Sequence, residues 1–524
     1  MSTYAVWGWG APEREPQLPD LVAAGPEVQR LLGLAVQAPE RPAPLPELRA
    51  ARVQPPTALA HLASTQPLDR ARHSIGRSYR DLVRGIRGEF AHVVDAVVRP
   101  TSEDDIGALL EWAADAGVAV VPFGGGTSVV GGVEPVIAPS YAGVVSLDME
   151  RVSGVTEVDV TSRAALVRAG TPGPRLEDEL RPHGLTARFF PQSFERSTVG
   201  GWIATRAAGH FSTRATHIDD LVESVRAVTP HGFWESRRLP ASGAGPSPDR
   251  MLLGSEGALG VLTAAWLRVQ PRPVRRWSAT CAAPDFRTGT EAVRVLLHEG
   301  FLPATARVVD PRESAVTGTL ATGEAAVVVG LESLGPPLDS DAHHITELVR
   351  DHGLRVIESG MRESGGVGDT WRTTFVAAPY LRETLVLLGL IVETFETAVT
   401  WDRFDELVST VTATVQSALG YVCGGGLVTC RTTHAYVDGV AAYFTVFAPA
   451  RRGSELAQWA DIKAAASKAV LDAGGTITHH HAIGRDHRPW YDEQQPTPFA
   501  AVLKAAKGAV DPTGIMNPGV LVDL

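Results

Sequence analysis

The stretch VAVVPFGGGTSVVGG, residues 118–132, decides the fold of this chain. Its apolar start, residues 118–121, is typical of a buried strand, and Pro122 ends that strand. Three glycines and the pair Thr127-Ser128 follow. Glycine allows a positive φ and leaves room beside the backbone, so successive N–H groups can turn inward and bind an anion. The stretch therefore predicts either a diphosphate-binding loop or a tight glycine turn that binds nothing, and the glycines alone do not separate the two.

The composition limits the classes of protein to which this chain can belong. A chain of 524 residues exceeds one ordinary core, so we expect two or more domains. The net charge of −11 argues against a nucleic-acid-binding surface. The three cysteines, Cys281, Cys423 and Cys430, lack metal-site spacing and suggest reduced thiols. No secretory signal is visible, and no apolar run approaches the ~20 residues of a membrane-spanning helix, so we expect a cytoplasmic location.

Two more loops rich in glycine and hydroxyl residues follow the first one. PQSFERSTVGGWIATRAA occupies residues 191–208, and GSEGALG occupies residues 254–260, directly before a predicted strand over Val261 to Val269. Each loop alone is more often a turn than a site. Three such loops beside strands predict a long cofactor that contacts the backbone at many points.

The remaining patterns predict an α+β protein. A proline-rich arm with a short helix from Pro26 to Leu34 precedes a first domain of short strands and helices, one of them capped by Thr101 or Ser102. From about Pro271 onward, the patterns predict a second domain in which helices pack on one antiparallel sheet. The expected helices there span Arg287 to Gly300, His343 to His352, Thr384 to Val399, Arg403 to Leu419 and Glu455 to Ala473, and the expected strands span Ala325 to Leu331 and Ala441 to Phe447.

The glycine loops carry a resemblance to a known family. PFGGGTSVVGG at 122–132, STVGGWIATRA at 197–207 and GSEGALGVLT at 254–263 resemble the PCMH-type FAD-binding domain of the vanillyl-alcohol oxidase superfamily. The resemblance implies FAD as the cofactor, a two-subdomain FAD-binding domain, and an antiparallel-sheet cap domain with flanking helices for the substrate. It assigns FAD binding to Pro122, Phe123, Gly124, Gly125, Gly126, Thr127, Ser128, Gln192, Ser193, Ser197, Thr198, Gly201, Thr205, Arg206, Ala207, Gly254, Ser255, Glu256, Gly257, Ala258, Leu259 and Gly260.

Three further motifs resemble the alkyldihydroxyacetonephosphate synthase family. They are WGWG at 7–10, ETFETAVTWDRF at 393–404 and HHHAIGR at 479–485. The resemblance implies an N-terminal arm at 1–92, an FAD-binding domain at 93–273, a cap domain at 274–490 and a C-terminal segment at 491–524 that returns to the FAD-binding domain. In that family flavin N5 attacks acyl-dihydroxyacetone phosphate, the fatty acid leaves, and a fatty alcohol replaces it. The implied catalytic residues are Tyr443, Arg307, Arg382, His479, His480 and His481.

The chemistry of these side chains is compatible with the implied catalytic roles, but it leaves structural alternatives open. Arginine offers a planar fork of donors to phosphate or carboxylate, and histidine exchanges protons near neutral pH. A tyrosine, with an ordinary pKa of about 10, needs a cationic neighbour before it can act as a base. Without the resemblance, Tyr443 would be a core aromatic, the arginines would form structural ion pairs, and the histidines would belong to a solvated loop. Consecutive histidines on a strand alternate between its faces, so we expect no metal site.

The chain departs from the family close to the expected flavin position. Gln192 and Arg196 stand where the family usually has an aspartate and an aromatic residue, and Thr216-His217 replaces a Tyr-Gly pair. FAD binding remains expected, but the reaction stays open between acyl-for-alkyl exchange and oxidation of a 2-hydroxy acid or related alcohol. A flavin-binding protein without catalysis is a third hypothesis. As partners we expect a small-molecule substrate that is phosphorylated, carboxylated or acyl-bearing, at most peripheral contact with a membrane, a homodimer by default, and no nucleic acid.

Overall fold

Three sheets of four or more strands and the helices around them organise the structure, a computed structural model that describes residues 5–10, 12–320, 323–362 and 379–524. The N-terminal helix α1, Leu18–Leu32, begins earlier than predicted and contains Pro26 in its interior. Residues 33–56 then form neither helix nor strand, as the run of prolines predicted. Two short helices follow, α2 at Pro67–Arg72 and α3 at Tyr79–Arg87.

The first sheet presents the glycine loop. Its strands are β1 (Ala63–Ser64), β2 (Ala96–Val98), β3 (Val118–Phe123) and β4 (Gly143–Asp148), in the order β1-β2-β4-β3. β2, β3 and β4 are parallel, and helix α4, Glu103–Ala116, connects β2 to β3. Ser102 caps this helix through a reciprocal pair of hydrogen bonds with Asp105, which confirms the predicted cap. The crossover sends β3 directly into the glycine loop.

The second sheet is antiparallel and carries the other two loops. Its order is β5-β6-β10-β8-β9, and a small ladder of β7 and β11 lies outside it. The strands are β5 (Val155–Asp159), β6 (Ala164–Arg168), β7 (Leu185–Thr186), β8 (Val222–Thr229), β9 (Gly232–Glu235), β10 (Val261–Arg268) and β11 (Gln270–Pro271). The helices are α5 (Gly173–Leu180), α6 (Val199–Thr205) and α7 (Pro248–Leu252).

The third sheet is the predicted antiparallel sheet of the second domain. Its seven strands follow the order β15-β12-β14-β13-β17-β18-β16. They are β12 (Arg275–Ala283), β13 (Thr305–Val309), β14 (Ala325–Ser333), β15 (Arg355–Arg362), β16 (Leu390–Thr400), β17 (Leu427–Ala435) and β18 (Gly439–Pro449). Helices α8 (Phe286–His298), α9 (Pro311–Thr317), α10 (Asp339–Asp351), α11 (Trp401–Cys423) and α12 (Glu455–Asp472) accompany it. Residues from α8, α10, α11 and α12 share one large apolar core with this sheet, so the α+β prediction is confirmed.

One predicted helix is wrong. Residues 384–399 were expected to be helical, but the helix ends at residue 387 and β16 begins at Leu390. Gly389, with a φ of 77°, separates the two elements. The following residues are rich in β-branched and aromatic side chains, which favour a strand over a helix.

The C-terminal residues return to the first glycine loop. Helices α13 (Arg488–Gln494) and α14 (Thr497–Val510) precede a bridge in which Met516 runs parallel to Val120 of β3. Asn517 then donates its side-chain N–H to the backbone oxygens of Gly132 (3.1 Å) and Glu256 (2.7 Å). Within the described ranges, no helix combines the length and apolarity that crossing a membrane requires.

Candidate active site

One cavity lies between the three glycine loops and the third sheet. The sheet contributes Arg307 from β13, Arg431, Thr433 and His434 from β17, and Tyr443 from β18; His480 and His481 also line the cavity. The predicted FAD-binding residues that line it are Pro122, Phe123, Gly124, Gly125, Gly126, Thr127, Ser128, Gln192, Ser193, Ser197, Thr198, Gly201, Thr205, Ala207, Glu256, Gly257 and Gly260. We call this space the active-site cavity.

Five predicted FAD-binding residues lie elsewhere. Arg206, Gly254 and Ser255 line a second cavity, which shares Thr205, Glu256 and His480 with the first. The guanidinium of Arg206 forms an ion pair with Asp219 (Nη2–Oδ2 2.8 Å). Ala258 and Leu259 are fully buried in the apolar core of the second sheet. None of these five residues lines the active-site cavity.

The first glycine loop offers a row of backbone donors. No hydrogen bond between described residues uses the N–H groups of residues 124–128. Buried backbone donors in proteins are nearly always satisfied, and consecutive N–H groups in a concave turn bind anions. The loop therefore fits the diphosphate of FAD.

The glycines of this loop are required for two different reasons. Gly126 has a φ of 62°, which disfavours residues with a Cβ. Gly125 has no positive φ, so of the two uses of glycine predicted for this stretch it serves only the close approach of another backbone segment. A Cβ on Gly125 would lie 2.2 Å from the backbone oxygen of Arg196. Arg196 also donates from Nε to the oxygen of Gly125 (2.7 Å) and from Nη1 to that of Trp9 (3.3 Å), so it ties the loop to the WGWG segment.

Three strands of the third sheet place a row of functional side chains side by side. Arg431 on β17 pairs with Tyr443 on β18, and Tyr443 pairs with Glu396 on β16. Directly paired residues point to the same face of a sheet. The guanidinium carbon of Arg431 lies 4.0 Å from the centre of the Tyr443 ring. Tyr443 therefore has the cationic neighbour that the sequence analysis required.

Arg307 places a second buried guanidinium beside this row of side chains. It lies on β13, next to β17, and donates from Nη2 to the backbone oxygen of His210 (2.6 Å). Burial, and then the neighbouring Arg431, lower the pKa of Arg307 to about 9. Burial also raises the pKa of Tyr443, while Arg431 opposes that rise. Arg431 itself forms an ion pair with Glu313.

Arg382 does not line the active-site cavity. Its guanidinium donates to the backbone oxygen of Arg77, and its positive charge still acts on the Tyr443 phenol. The structure therefore separates the two predicted arginines: Arg307 lines the cavity, and Arg382 does not.

Glu396 organises the histidine segment. Its Oε1 accepts hydrogen bonds from the N–H groups of His480 (2.8 Å) and His481 (3.0 Å), and its Oε2 accepts one from the N–H of His479 (2.7 Å). The Thr478 hydroxyl donates to Oε1 as well (2.7 Å). Burial disfavours the charged carboxylate, but its interactions with His480 and the other two histidines outweigh burial and hold its pKa well below 4.5.

The histidines form a wider network than the triplet. His479 Nδ1 lies 3.0 Å from His480 Nδ1, and His479 Nε2 lies 3.0 Å from His217 Nε2 and 2.8 Å from the Tyr436 hydroxyl. His434 contacts the Gly209 oxygen through Nε2 (3.0 Å) and the Thr433 hydroxyl through Nδ1 (3.0 Å). His480 and His481 line the active-site cavity, whereas His479 lines the second cavity.

Burial is the main cause of the lowered pKa values in the histidine network. It lowers the pKa of His434 and His479 well below 6.5, and neighbouring histidines lower it further. Burial likewise lowers the pKa of His481 to about 3, although Glu396 opposes this shift. These three rings are therefore neutral at pH 7.

Two groups bring metal-ligand atoms within 4.8 Å of one another, His434/His479/His480 and Glu396/His480/His481. Both nitrogens of His434 already contact protein oxygens, and Glu396 already accepts four hydrogen bonds. This use of the ligand atoms favours a hydrogen-bonded network over a metal centre.

Sequence reasoning missed four members of this site: Arg431, His434, Glu396 and His217. Arg431 and His434 had a local signal, because each is a charged or polar residue within an otherwise strand-like stretch. Glu396 lay inside a recognised motif, and His217 lay at a recognised departure from the family. Their proximity depends on strand pairing that a single sequence does not reveal.

Comparison with known proteins agrees with this geometry. A family model described as "FAD binding domain" matches residues 94–235, and one described as "FAD linked oxidases, C-terminal domain" matches residues 272–521. The first match contains two of the glycine loops, and the second contains the third sheet and the histidine segment.

Relatives extend the similarity to most of the chain. Alkyldihydroxyacetonephosphate synthase of Dictyostelium discoideum is 29% identical over 87% of this chain and 77% of its own length. An uncharacterised FAD-linked oxidoreductase of Escherichia coli is 26% identical over 81% of this chain and 88% of its own length. A solved structure of alkyldihydroxyacetonephosphate synthase shares the fold with a TM-score of 0.82 at 24% identity, covering 99% of both chains. The chain therefore combines an FAD binding domain with the C-terminal domain of FAD linked oxidases, and it is an FAD-dependent enzyme that resembles alkyldihydroxyacetonephosphate synthase.

Proposed function

We propose that the protein exchanges the acyl group of a dihydroxyacetone phosphate ester for an alkyl group, with no net oxidation. The observation that carries this proposal is that Arg307, Arg431 and Tyr443 of the third sheet line the same cavity as the FAD loops, while Glu396 pairs with Tyr443 on the neighbouring strand. This arrangement brings groups that can bind an anion and groups that can transfer a proton into one cavity. The names of the relatives support the substrate class.

The anion site is the first part of the argument. Arg307 and Arg431 both line the cavity, so two guanidinium groups bring positive charge to the same side of it. Guanidinium groups bind phosphate through paired, charge-assisted hydrogen bonds. Such bonds would hold the phosphate end of a substrate in a fixed orientation.

Tyr443 and the histidines supply the second part. The centre of the Tyr443 ring lies 6.3 Å from that of His480 and 5.6 Å from that of His481. The phenol holds a proton at its oxygen, and a neutral imidazole accepts one at a ring nitrogen. Glu396 accepts hydrogen bonds from the backbone of the three histidines and so holds this segment beside Tyr443.

FAD, when bound, supplies an isoalloxazine ring that can serve as an electron acceptor or as a nucleophile. The loop N–H groups would hold its diphosphate, and Trp9 and Trp202 line the same cavity. Oxidation of a 2-hydroxy acid is the second candidate, since the same arginines would bind a carboxylate and one relative is an FAD-linked oxidoreductase.

An anaerobic spectroscopic experiment separates the two functions. The purified holoenzyme is mixed with acyl-dihydroxyacetone phosphate and a fatty alcohol, and in parallel with 2-hydroxy acids, while the flavin absorbance and the products are followed. We expect the ether product and released fatty acid without net bleaching of the flavin. Bleaching by a 2-hydroxy acid, together with no ether product, would replace the synthase proposal by the oxidase one.

A further inference from the structure

A chain of three imidazoles joins the active-site cavity to the second cavity. His480 lines both cavities, and His479 and His217 line the second one. The contacts are His480 Nδ1 to His479 Nδ1 at 3.0 Å and His479 Nε2 to His217 Nε2 at 3.0 Å. We propose that these rings form a proton relay that carries one proton per turnover from the active-site cavity, through His217, to water in the second cavity. This proposal rests on the proposed function.

The hydrogen bonds among the three imidazoles determine which ring nitrogen donates and which accepts in each contact. His217 Nδ1 lies 3.2 Å from the backbone oxygen of Arg206, which can only accept, so Nδ1 carries the proton. A neutral His217 then presents a lone pair at Nε2. Two ring nitrogens 3.0 Å apart need a proton between them, so His479 carries its proton at Nε2.

The same logic continues to the active-site cavity. A neutral His479 protonated at Nε2 has a lone pair at Nδ1, so His480 must donate to it from Nδ1. His480 Nε2 is then the open base of the chain, and it makes no hydrogen bond to any described residue. Burial, chiefly, lowers the pKa of His217 and of His479, so both rings are neutral at pH 7.

Tyr436 also contacts His479 Nε2, but it is a poor exit for a proton. Burial raises the pKa of its phenol, which therefore stays protonated. Its hydroxyl has a second partner in the Thr216 hydroxyl at 3.1 Å. Tyr436 thus holds the His479 ring in place, and His217 remains the ring that can accept the proton.

The proposed reaction requires such an exit. When a fatty alcohol replaces a fatty acid, the alcohol loses its O–H proton and the acid leaves as a carboxylate, so one proton is released. That proton binds His480 Nε2, the Nδ1 proton of His480 moves to His479 Nδ1, and the Nε2 proton of His479 moves to His217 Nε2. His217 then releases its Nδ1 proton to water. The rings reorient afterwards, and the Arg206 carbonyl favours the original direction.

A pair of His217 variants distinguishes proton transfer through the His217 ring from a purely structural role of that ring. In His217→Gln, the amide can accept from His479 and donate to the Arg206 oxygen, so it preserves the hydrogen bonds but cannot pass a proton. His217→Ala leaves an opening that imidazole can enter from the second cavity. His298→Gln is the matched control, since His298 Nε2 contacts the Val437 backbone oxygen (2.9 Å) outside this network.

With the holoenzymes and the ether-forming assay, we expect kcat to fall about a hundredfold in both His217 variants. FAD content should stay constant, and the control should keep the wild-type rate. Added imidazole should restore activity to His217→Ala and not to His217→Gln. Wild-type activity in His217→Gln would overturn the relay.

Nitrogen-15 NMR of histidine-labelled holoenzyme tests the relay without any substrate. It distinguishes protonated from unprotonated ring nitrogens, and the His217→Gln spectrum assigns the His217 signals. We expect a protonated Nδ1 on His217 and a protonated Nε2 on His479. The opposite tautomers would overturn the relay even if the synthase activity is present. If the wild type forms no ether but the expected tautomers are found, the proposed function fails and the directed hydrogen-bond chain stands.

Discussion

Gly125→Ala should release FAD from an otherwise folded protein. The new Cβ would lie 2.2 Å from the Arg196 oxygen, 2.8 Å from the Arg196 carbonyl carbon and 2.9 Å from the Ser197 Cα. All three atoms are backbone, so no side chain can move aside. An ordinary contact begins at 3.4 Å, and the loop must therefore shift by roughly 1 Å, a displacement typical of overpacking that costs about 1–3 kcal/mol.

That shift has a direct consequence for the diphosphate. Hydrogen bonds to charged groups contribute about 1.5–3 kcal/mol each. Losing one of them would raise the Kd for FAD by about ten- to hundredfold, because about 1.4 kcal/mol corresponds to a factor of ten. The Kd is measured by titrating apoprotein with FAD, and circular dichroism monitors the fold.

Gly107→Ala is the matched control. Gly107 lies in helix α4, and nothing is within 4 Å of the position of its Cβ. Alanine in a helix interior stabilises the protein by about 0.5–1 kcal/mol relative to glycine. If Gly125→Ala binds FAD as tightly as Gly107→Ala does, the close-packing account of the loop is refuted.

Three further predictions concern the third sheet and the histidine segment. Glu396→Gln should lower the free energy of unfolding in urea by about 1–3 kcal/mol, since an NH₂ group would face N–H donors; an unchanged value would contradict the organising role of Glu396. Arg431→Lys should raise KM for the phosphorylated substrate about tenfold with FAD content unchanged, and an unaltered KM would remove Arg431 from the anion site. The buried rings His434 and His479 have folded pKa values below the ordinary 6.5, so their contribution to stability is complete above 6.5 and declines as pH falls. Urea unfolding between about pH 7.5 and about pH 5.5 should show a loss of up to about 1.4 kcal/mol per pH unit for each ring, and a flat profile would show that the rings are not held neutral.

Local signals in the sequence predicted much of the fold. The cap at Ser102, the strand before the glycine loop and the long helices of the second domain all follow from patterns within about 20 residues of each other. The prediction failed at residues 384–399, where an apolar helix and an apolar strand are adjacent and only Gly389 marks the boundary.

The site was harder to predict because its geometry is set by strand order. β17 and β18 are neighbours in sequence, so the pairing of Arg431 with Tyr443 is local. β16 reaches the same row across helix α11 and β17, and only that long-range pairing brings Glu396 beside Tyr443. The triplet His479–His481 was recognisable in sequence, but the carboxylate that holds it was not.

The bridge between Met516 and Val120 also bears on how the enzyme is made. Asn517 reaches Gly132 across 385 positions of sequence, and nearby Lys507 is buried with its Nζ donating to the oxygens of Ala258 (2.8 Å) and Met516 (2.6 Å). During translation, the glycine loop leaves the ribosome long before these partners exist. Contacts of such wide sequence separation also require the closure of a long loop, which costs entropy and slows folding. Cofactor capture is therefore coupled to completion of the polypeptide, and a nascent chain that lacks residues 507–517 cannot yet assemble its flavin cradle.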